Sequence, residues 1–167
     1  MALLVRPARP ADEADLARID LATWTPASSP ASPPSEPAAY AFFGERATPA
    51  DVLVAELDGA VAGYVKLLPV TPLPSHAHVL QIGGLGVDPE VQGHGAGRAL
   101  VEAAVHEARA RGARKLTLRV LGCNATARRL YERCGFVVEG VLEREFLLDG
   151  AYVDDVFMAL HLTDPGS

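Results

Sequence analysis

Three glycines, Gly93, Gly95 and Gly97, stand in the run VDPEVQGHGAGRAL directly ahead of a segment that reads as a helix. Glycine is a poor helix former and loses the most backbone freedom on folding, so a helix start built this way needs bare backbone. A glycine-rich turn feeding a helix N-terminus presents unpaired N–H groups and the positive end of the helix dipole. That combination is an anion site, and phosphate is its usual guest. A Walker A loop is excluded, because no Gly-Lys-Ser/Thr follows Gly97. A dinucleotide fingerprint fits poorly: the spacing is G-x-G-x-G, and the next strand, KLTLRVL, does not end in the acid that would hold a ribose. A turn kept tight for packing alone is the remaining reading. Further on, Asn124 and Tyr131 are seven residues apart. Two helical turns put them on one face, about 10 Å from each other. A phenol with an ordinary pKa of about 10 stays protonated at neutral pH and can donate that proton.

The elements that must position these groups are marked along the chain. ALLVRPA reads as a strand and PADEADLARIDLAT as a helix, with Pro10 and Asp12 as start signals and Leu16, Ile19 and Leu21 facing inward. TPASSPASPPSEP, residues 25–37, is too rich in proline and serine for a regular element and reads as an internal loop. A short second helix is expected over Tyr40–Arg46. DVLVAELDGAVAGYVKLLPV is a hairpin turning at Asp58-Gly59. HAHVLQIGGLGV is a strand interrupted by Gly83-Gly84, the mark of a bulge. Leu100, Val101, Ala104, Val105 and Ala108 form the apolar stripe of the helix that follows the glycines, and Gly112 ends it. RKLTLRVL is a strand, NATARRLYERCG a helix capped by Asn124 and stopped at Gly135, and the last segment a hairpin across Asp149-Gly150. The order β-α-α-β-β-β-α-β-α-β-β predicts an α/β domain. Its sheet of about seven strands is mixed and mostly antiparallel, with flanking helices and one right-handed parallel crossover.

The totals set limits on function. A chain of 167 residues, 49% hydrophobic and 22% charged, is expected to be one globular domain, 1–167. A net charge of −6 lacks the positive excess that nucleic acid requires. MALLVRPARP is not a signal peptide, and no stretch approaches the ~20 apolar residues of a membrane span, so a cytoplasmic protein is expected. Cys123 and Cys134 read as buried free thiols in a reducing compartment. The closing hairpin offers an edge to a second copy, which leaves a homodimer open.

VDPEVQGHGAGRAL resembles the acyl-CoA-binding motif of the GNAT superfamily of N-acetyltransferases, Gln/Arg-x-x-Gly-x-Gly/Ala, carried here by Gln92, Gly95 and Gly97. NATARRLYERCGF resembles that family's second signature, carried by Asn124, Ala127, Tyr131, Gly135 and Phe136. The two stand in the family's order, with a helix, a turn and a strand between them. The resemblance implies the acyl-CoA N-acyltransferase fold, acetyl-CoA as donor, and acetyl transfer to a primary amine of a small molecule such as an amino acid or amine xenobiotic. A protein or peptide N-terminus is the alternative acceptor, and a non-catalytic acyl-CoA-binding sensor the alternative function.

The same resemblance implies roles. The N–H groups of Gly93, His94, Gly95, Ala96, Gly97 and Arg98 would cradle the pyrophosphate, beside Gln92. Backbone groups of Leu85, Gly86 and Val87 would hold the pantetheine arm as an added strand. Asn124 and Ala127 would contact the coenzyme, and Tyr131 would protonate the departing sulfur. Trp24 through Phe43 would wall the acceptor cleft. Many relatives carry a glutamate base on the bulged strand; this chain has none there. His78 is then the candidate base, with Gln81 beside it and Asp154, Asp155 and Glu36 as further candidates. His76 and His78 are expected on one strand face, with no third ligand in view and hence no metal.

Overall fold

The computed structural model of the chain describes residues 1–162; residues 163–167 of the expected 1–167 domain lie outside the described residues. The elements run β1 (Leu3–Pro7), α1 (Glu13–Thr23), β2 (Val52–Leu57), β3 (Ala60–Pro69), β4 (Val79–Val87), α2 (Ala96–Ala110), β5 (Lys115–Leu121), α3 (Ala125–Arg133), β6 (Val137–Leu148) and β7 (Ala151–His161). They build a seven-stranded sheet in the order β1-β2-β3-β4-β5-β7-β6. Every neighbouring pair is antiparallel except β4 and β5, which α2 connects as the expected crossover.

Strand alternation decides which helix covers which face. On β3, Val65 and Leu67 pack with Leu100, Val101 and Ala104 of α2 and with Tyr131 and Phe136 at α3. The intervening Tyr64 points the other way, into a cluster with Leu16 and Ile19 of α1 and with Phe42. Both hairpins turn as the sequence predicts. Asp58 and Gly59 have φ of 51° and 84°, and Asp149 and Gly150 have 48° and 78°, so each turn has positive φ at both central residues and follows the right-handed strand twist.

Two expectations are corrected. Tyr40–Arg46 is not a helix: a 3-10 turn at Pro37–Ala39 leads into irregular chain closed by an isolated bridge between Gly44 and Ala47. Seven residues are too few to sustain a helix alone, and the Phe42 and Phe43 N–H groups donate instead to the Glu13 carboxylate of α1. The two cysteines are not buried as a pair; Cys123 is exposed and Cys134 half-buried.

Asp88 joins the two layers near the glycine turn. Buried at the end of β4, it accepts from Arg18 Nη1 of α1 at 2.8 Å and from the Glu90 N–H at 3.1 Å. The Arg18 guanidinium holds the Asp88 carboxyl below the usual range, and Arg6 does the same for buried Asp12. A carboxylate with a depressed folded pKa adds stability above its unfolded value of about 3.9 and loses it as pH falls through the folded value. Stability is therefore expected to fall with acid below about pH 4. Asp88→Asn should flatten part of that slope and cost about 1 kcal/mol at pH 7, since Arg18 is half-exposed. Urea titrations of both proteins from pH 7 to pH 3 measure this, and parallel slopes would rule the pair out as a contributor.

Candidate active site

The sheet splits in its middle. β4 and β5 pair only from Val79–Ile82 to Lys115–Leu118. Across the other edge of β4, Lys66 of β3 faces Gly84 while Leu67 faces Ile82, so Gly83 is the extra residue of a bulge. Beyond it, Gly83 to Val87 have no strand partner on the β5 side among the described residues, which leaves main-chain donors and acceptors free apart from the Val87 carbonyl. A small cavity of about 280 Å³ occupies this wedge, bounded by Gly83, Gly84 and Leu85 on one side and Val120 and Leu121 on the other. Tyr131 lines it as well. The Tyr131 ring is buried edge-on against Phe136, with centroids 5.9 Å apart. Its hydroxyl has no hydrogen-bond partner among the described residues, yet it is not sealed from the cavity. Burial, with a smaller contribution from Cys134, raises the Tyr131 pKa above that of an ordinary phenol.

Two helices begin beside the wedge, and they begin differently. At α3 the Asn124 side chain accepts from the Ala127 N–H at 3.2 Å, a conventional cap. At α2 the cap residue is Gly95, which has no side chain to offer. Gly95 accepts the Ala99 N–H through its carbonyl, so the N–H groups of Ala96, Gly97 and Arg98 keep no partner within the helix. The glycines serve different needs. Gly93 and Gly95 have φ of 85° and 86°, a left-handed backbone that side chains rarely adopt, and a Cβ on either would point into open space. At Gly97 a Cβ would lie 3.3 Å from Leu130 Cδ2, so its absence lets α2 and α3 approach.

A larger cavity of about 1100 Å³ runs from this turn across β4 to α1. It gathers Leu85, Gly86 and Val87 from β4; Gln92, Gly93, Gly95, Ala96, Gly97 and Arg98 from the turn; and Asn124 and Ala127 from α3. His94 lies beside the turn but does not line the cavity; its Nδ1 is 3.0 Å from the Val91 carbonyl. Gln92 Nε2 donates to the Val87 carbonyl at 3.2 Å and ties the turn to the strand end. The residues suit acetyl-CoA: an uncapped helix start meets an anion, open space stands over two glycines, and an unpaired strand edge meets amides.

The histidine and carboxylate candidates for the base are not brought to this site. His78 is exposed in the turn before β4, at the far end of the strand from the bulge, and lines neither cavity. His76 sits in a 3-10 turn, its Nδ1 3.0 Å from Thr71 Oγ1, so the two histidines share no strand face. Gln81 does line the small cavity, but its side chain donates to the Pro69 carbonyl at 3.2 Å, and an amide is no base. Asp155 is paired with Arg119, Asp154 accepts the Arg144 N–H, and Glu36 is exposed away from both cavities.

What does reach the large cavity is a group the sequence did not single out. Asp20 of α1 accepts the Tyr40 hydroxyl on one oxygen and the Tyr64 hydroxyl on the other. Burial and the Asp20 charge raise both phenol pKa values, so both remain donors. Lys66 joins them, with Nζ 4.4 Å from the centre of the Phe42 ring and a pKa lowered by burial. Gly84 and Gly86 make room: a Cβ at Gly86 would sit 2.7 Å from the Tyr64 ring, and one at Gly84 3.3 Å from Lys66 Cδ. Trp24 and Phe43, the ends of the segment expected to wall an acceptor cleft, line this cavity too.

Comparison with known proteins gives the arrangement its family. The L-amino acid N-acyltransferase MnaT of Escherichia coli is 29% identical over 113 residues, 68% of this chain and 65% of that one. The mycothiol acetyltransferase of Beutenbergia cavernae is 56% identical over 52 residues, 31% of this chain. The chain spans less than a third of the length of the mycothiol acetyltransferases it matches. In fold it is similar to yncA of Salmonella typhimurium, an acetyltransferase solved with its cofactor acetyl-CoA, at a TM-score of 0.78 and 24% identity over 100% of this chain and 98% of that one. The Acetyltransferase (GNAT) family model matches residues 15–136, from α1 to the end of the second signature, and the chain belongs to that family.

Proposed function

We propose that the protein transfers an acetyl group from acetyl-CoA to the primary amine of a small molecule. Acetyl-CoA supplies the acetyl group already activated as a thioester. The N–H groups of Ala96, Gly97 and Arg98 bind the diphosphate, with the helix dipole behind them. The free edge at Leu85, Gly86 and Val87 orients the pantetheine amides. Asn124 spends its Oδ1 on capping α3 and keeps Nδ2 as a donor toward the cavities it lines. The acceptor nitrogen, once its ammonium has given a proton to solvent, attacks the thioester carbonyl and loses a second proton to solvent as the C–N bond forms. The C–S bond breaks, and Tyr131 Oη delivers its proton to the leaving sulfur.

One observation carries this reading: the buried Tyr131 ring lines the same wedge as the unpaired strand edge, and its hydroxyl has no partner among the described residues. A structural tyrosine would have its hydroxyl satisfied or turned to solvent. Small-molecule acceptors are supported by MnaT, named for L-amino acids, and by a spermidine N(1)-acetyltransferase of Vibrio cholerae, 36% identical over 93 residues.

The test mixes protein, acetyl-CoA and separate panels of amino acids, polyamines and short peptides, following free thiol and the mass of the N-acetyl product. Thiol release with a small amine is expected. Release with peptides alone would move the acceptor to protein N-termini, and coenzyme binding without any release would leave an acyl-CoA sensor.

A further inference from the structure

The large cavity contains two half-buried charges, one of each sign; the Asp20 charge favours the charged form of Lys66, but neither group has an ion-pair partner among the described residues. Among the described residues, Asp20 and Lys66 have no partner of opposite charge within ion-pair distance, and they do not pair with each other. The remaining charges on the wall, Glu45, Arg46, Arg98 and Arg133, are exposed side chains at its rim. A partly desolvated charge without a counter-charge is costly to hold, and a ligand that brings the counter-charge recovers that cost.

Each group is also aimed. Both Asp20 oxygens accept tyrosine hydroxyls, which fix the carboxylate in place. Each oxygen keeps a second lone-pair direction, which suits an ammonium N–H. Lys66 comes from the same face of β3 as Tyr64 and lies along β4 at Gly84, with its ammonium over the Phe42 ring. That ring attracts the cation but leaves its donors unused.

We infer that the acceptor is a zwitterion: an amino acid whose ammonium is anchored by Asp20 and whose carboxylate is held by Lys66. This rests on the acetyl-transfer reading and narrows its acceptor. The walls offered by Trp24, Phe42 and Phe43 match an apolar side chain. A simple amine or a polyamine would satisfy Asp20, offset the charge that supports Lys66, and leave the half-buried ammonium without an ion-pair partner among the described residues.

The experiment compares L-leucine with 3-methylbutylamine, the same molecule without its carboxylate. Trp24 is the only tryptophan and lines the cavity, so its fluorescence reports binding without coenzyme. The wild type is expected to bind leucine at least about tenfold more tightly than the amine. Lys66→Met, which keeps the stem packing, should erase that difference by weakening leucine alone. Asp20→Asn should weaken both ligands about equally.

Equal wild-type affinity for the two ligands, or a Lys66→Met variant that weakens both alike, would overturn the inference. Thiol release measured alongside separates the two levels. Turnover of the amine as fast as leucine overturns the zwitterion and leaves acetyl transfer standing. Leucine binding without release from either ligand overturns acetyl transfer and the acceptor role with it.

Discussion

Replacing Tyr131 with phenylalanine is expected to lower kcat by about 10²–10⁴-fold while leaving acetyl-CoA affinity close to that of the wild type. The size follows from removing the phenol proton proposed to reach the leaving sulfur. The selectivity follows from packing. The ring meets Phe136, and phenylalanine keeps that contact. The lost hydroxyl bonds to no described residue, so its removal leaves no buried group unsatisfied. Folding stability should hardly move, and a fall in kcat is then a chemical effect. Because burial raises the phenol pKa, no loss of activity at moderately alkaline pH should be assignable to Tyr131. Steady-state kinetics with a coenzyme titration decides the matter, and an unchanged kcat removes Tyr131 from the reaction.

The second large effect belongs to Gly95. An aspartate there places a carboxylate beside the open N–H groups of α2, where the diphosphate is proposed to bind. Its Cβ meets nothing within 4 Å, so the side chain fits, and aspartate tolerates positive φ better than most residues. At an effective dielectric near 20, two like charges about 4 Å apart repel by about 4 kcal/mol. Affinity for acetyl-CoA should therefore drop by at least about 100-fold, equivalent to about 2.7 kcal/mol. Gly95→Asn makes the same demand on the backbone without the charge and should retain most of the affinity. Calorimetric titration of both variants gives the comparison. Equal losses would mean that backbone strain, not an anion site, explains the glycine.

What could be read from the sequence was local. The two Asp-Gly hairpins, the Gly83 bulge, the Asn124 cap and the stripe of α2 each lie within a few consecutive residues, and the structure has all of them. The part of the large cavity proposed to take the coenzyme is likewise built from three short runs, and the cavity gathers most of the residues the two motifs point to. The wall proposed to take the acceptor is not local. Asp20 reads as one polar residue of an amphipathic helix and Tyr40 as the start of a short second helix. Tyr64 and Lys66 read as polar-tipped positions in an apolar strand. Sheet order and the packing of α1 across β3 and β4 bring them together, and neither is visible in spacing. One trace was available: Tyr64 and Lys66 are two apart on β3, in register with Gly86 and Gly84. His78 misled for the converse reason, because nearness in sequence to a functional strand says nothing about which end of it a side chain occupies.

The forked sheet also bears on self-association. A strand with free N–H and C=O groups ordinarily invites another chain to add to it, and exposed sheet edges are guarded against this. Here the free run of Gly83 to Val87 is interior. It is flanked by β5, and the fork closes where Ile82 meets Leu118. A foreign β-strand continues in both directions and would be stopped at that closure, whereas a slender thread that ends in a small group can enter. The protein can thus keep an adhesive stretch of backbone permanently open without becoming a seed for aggregates.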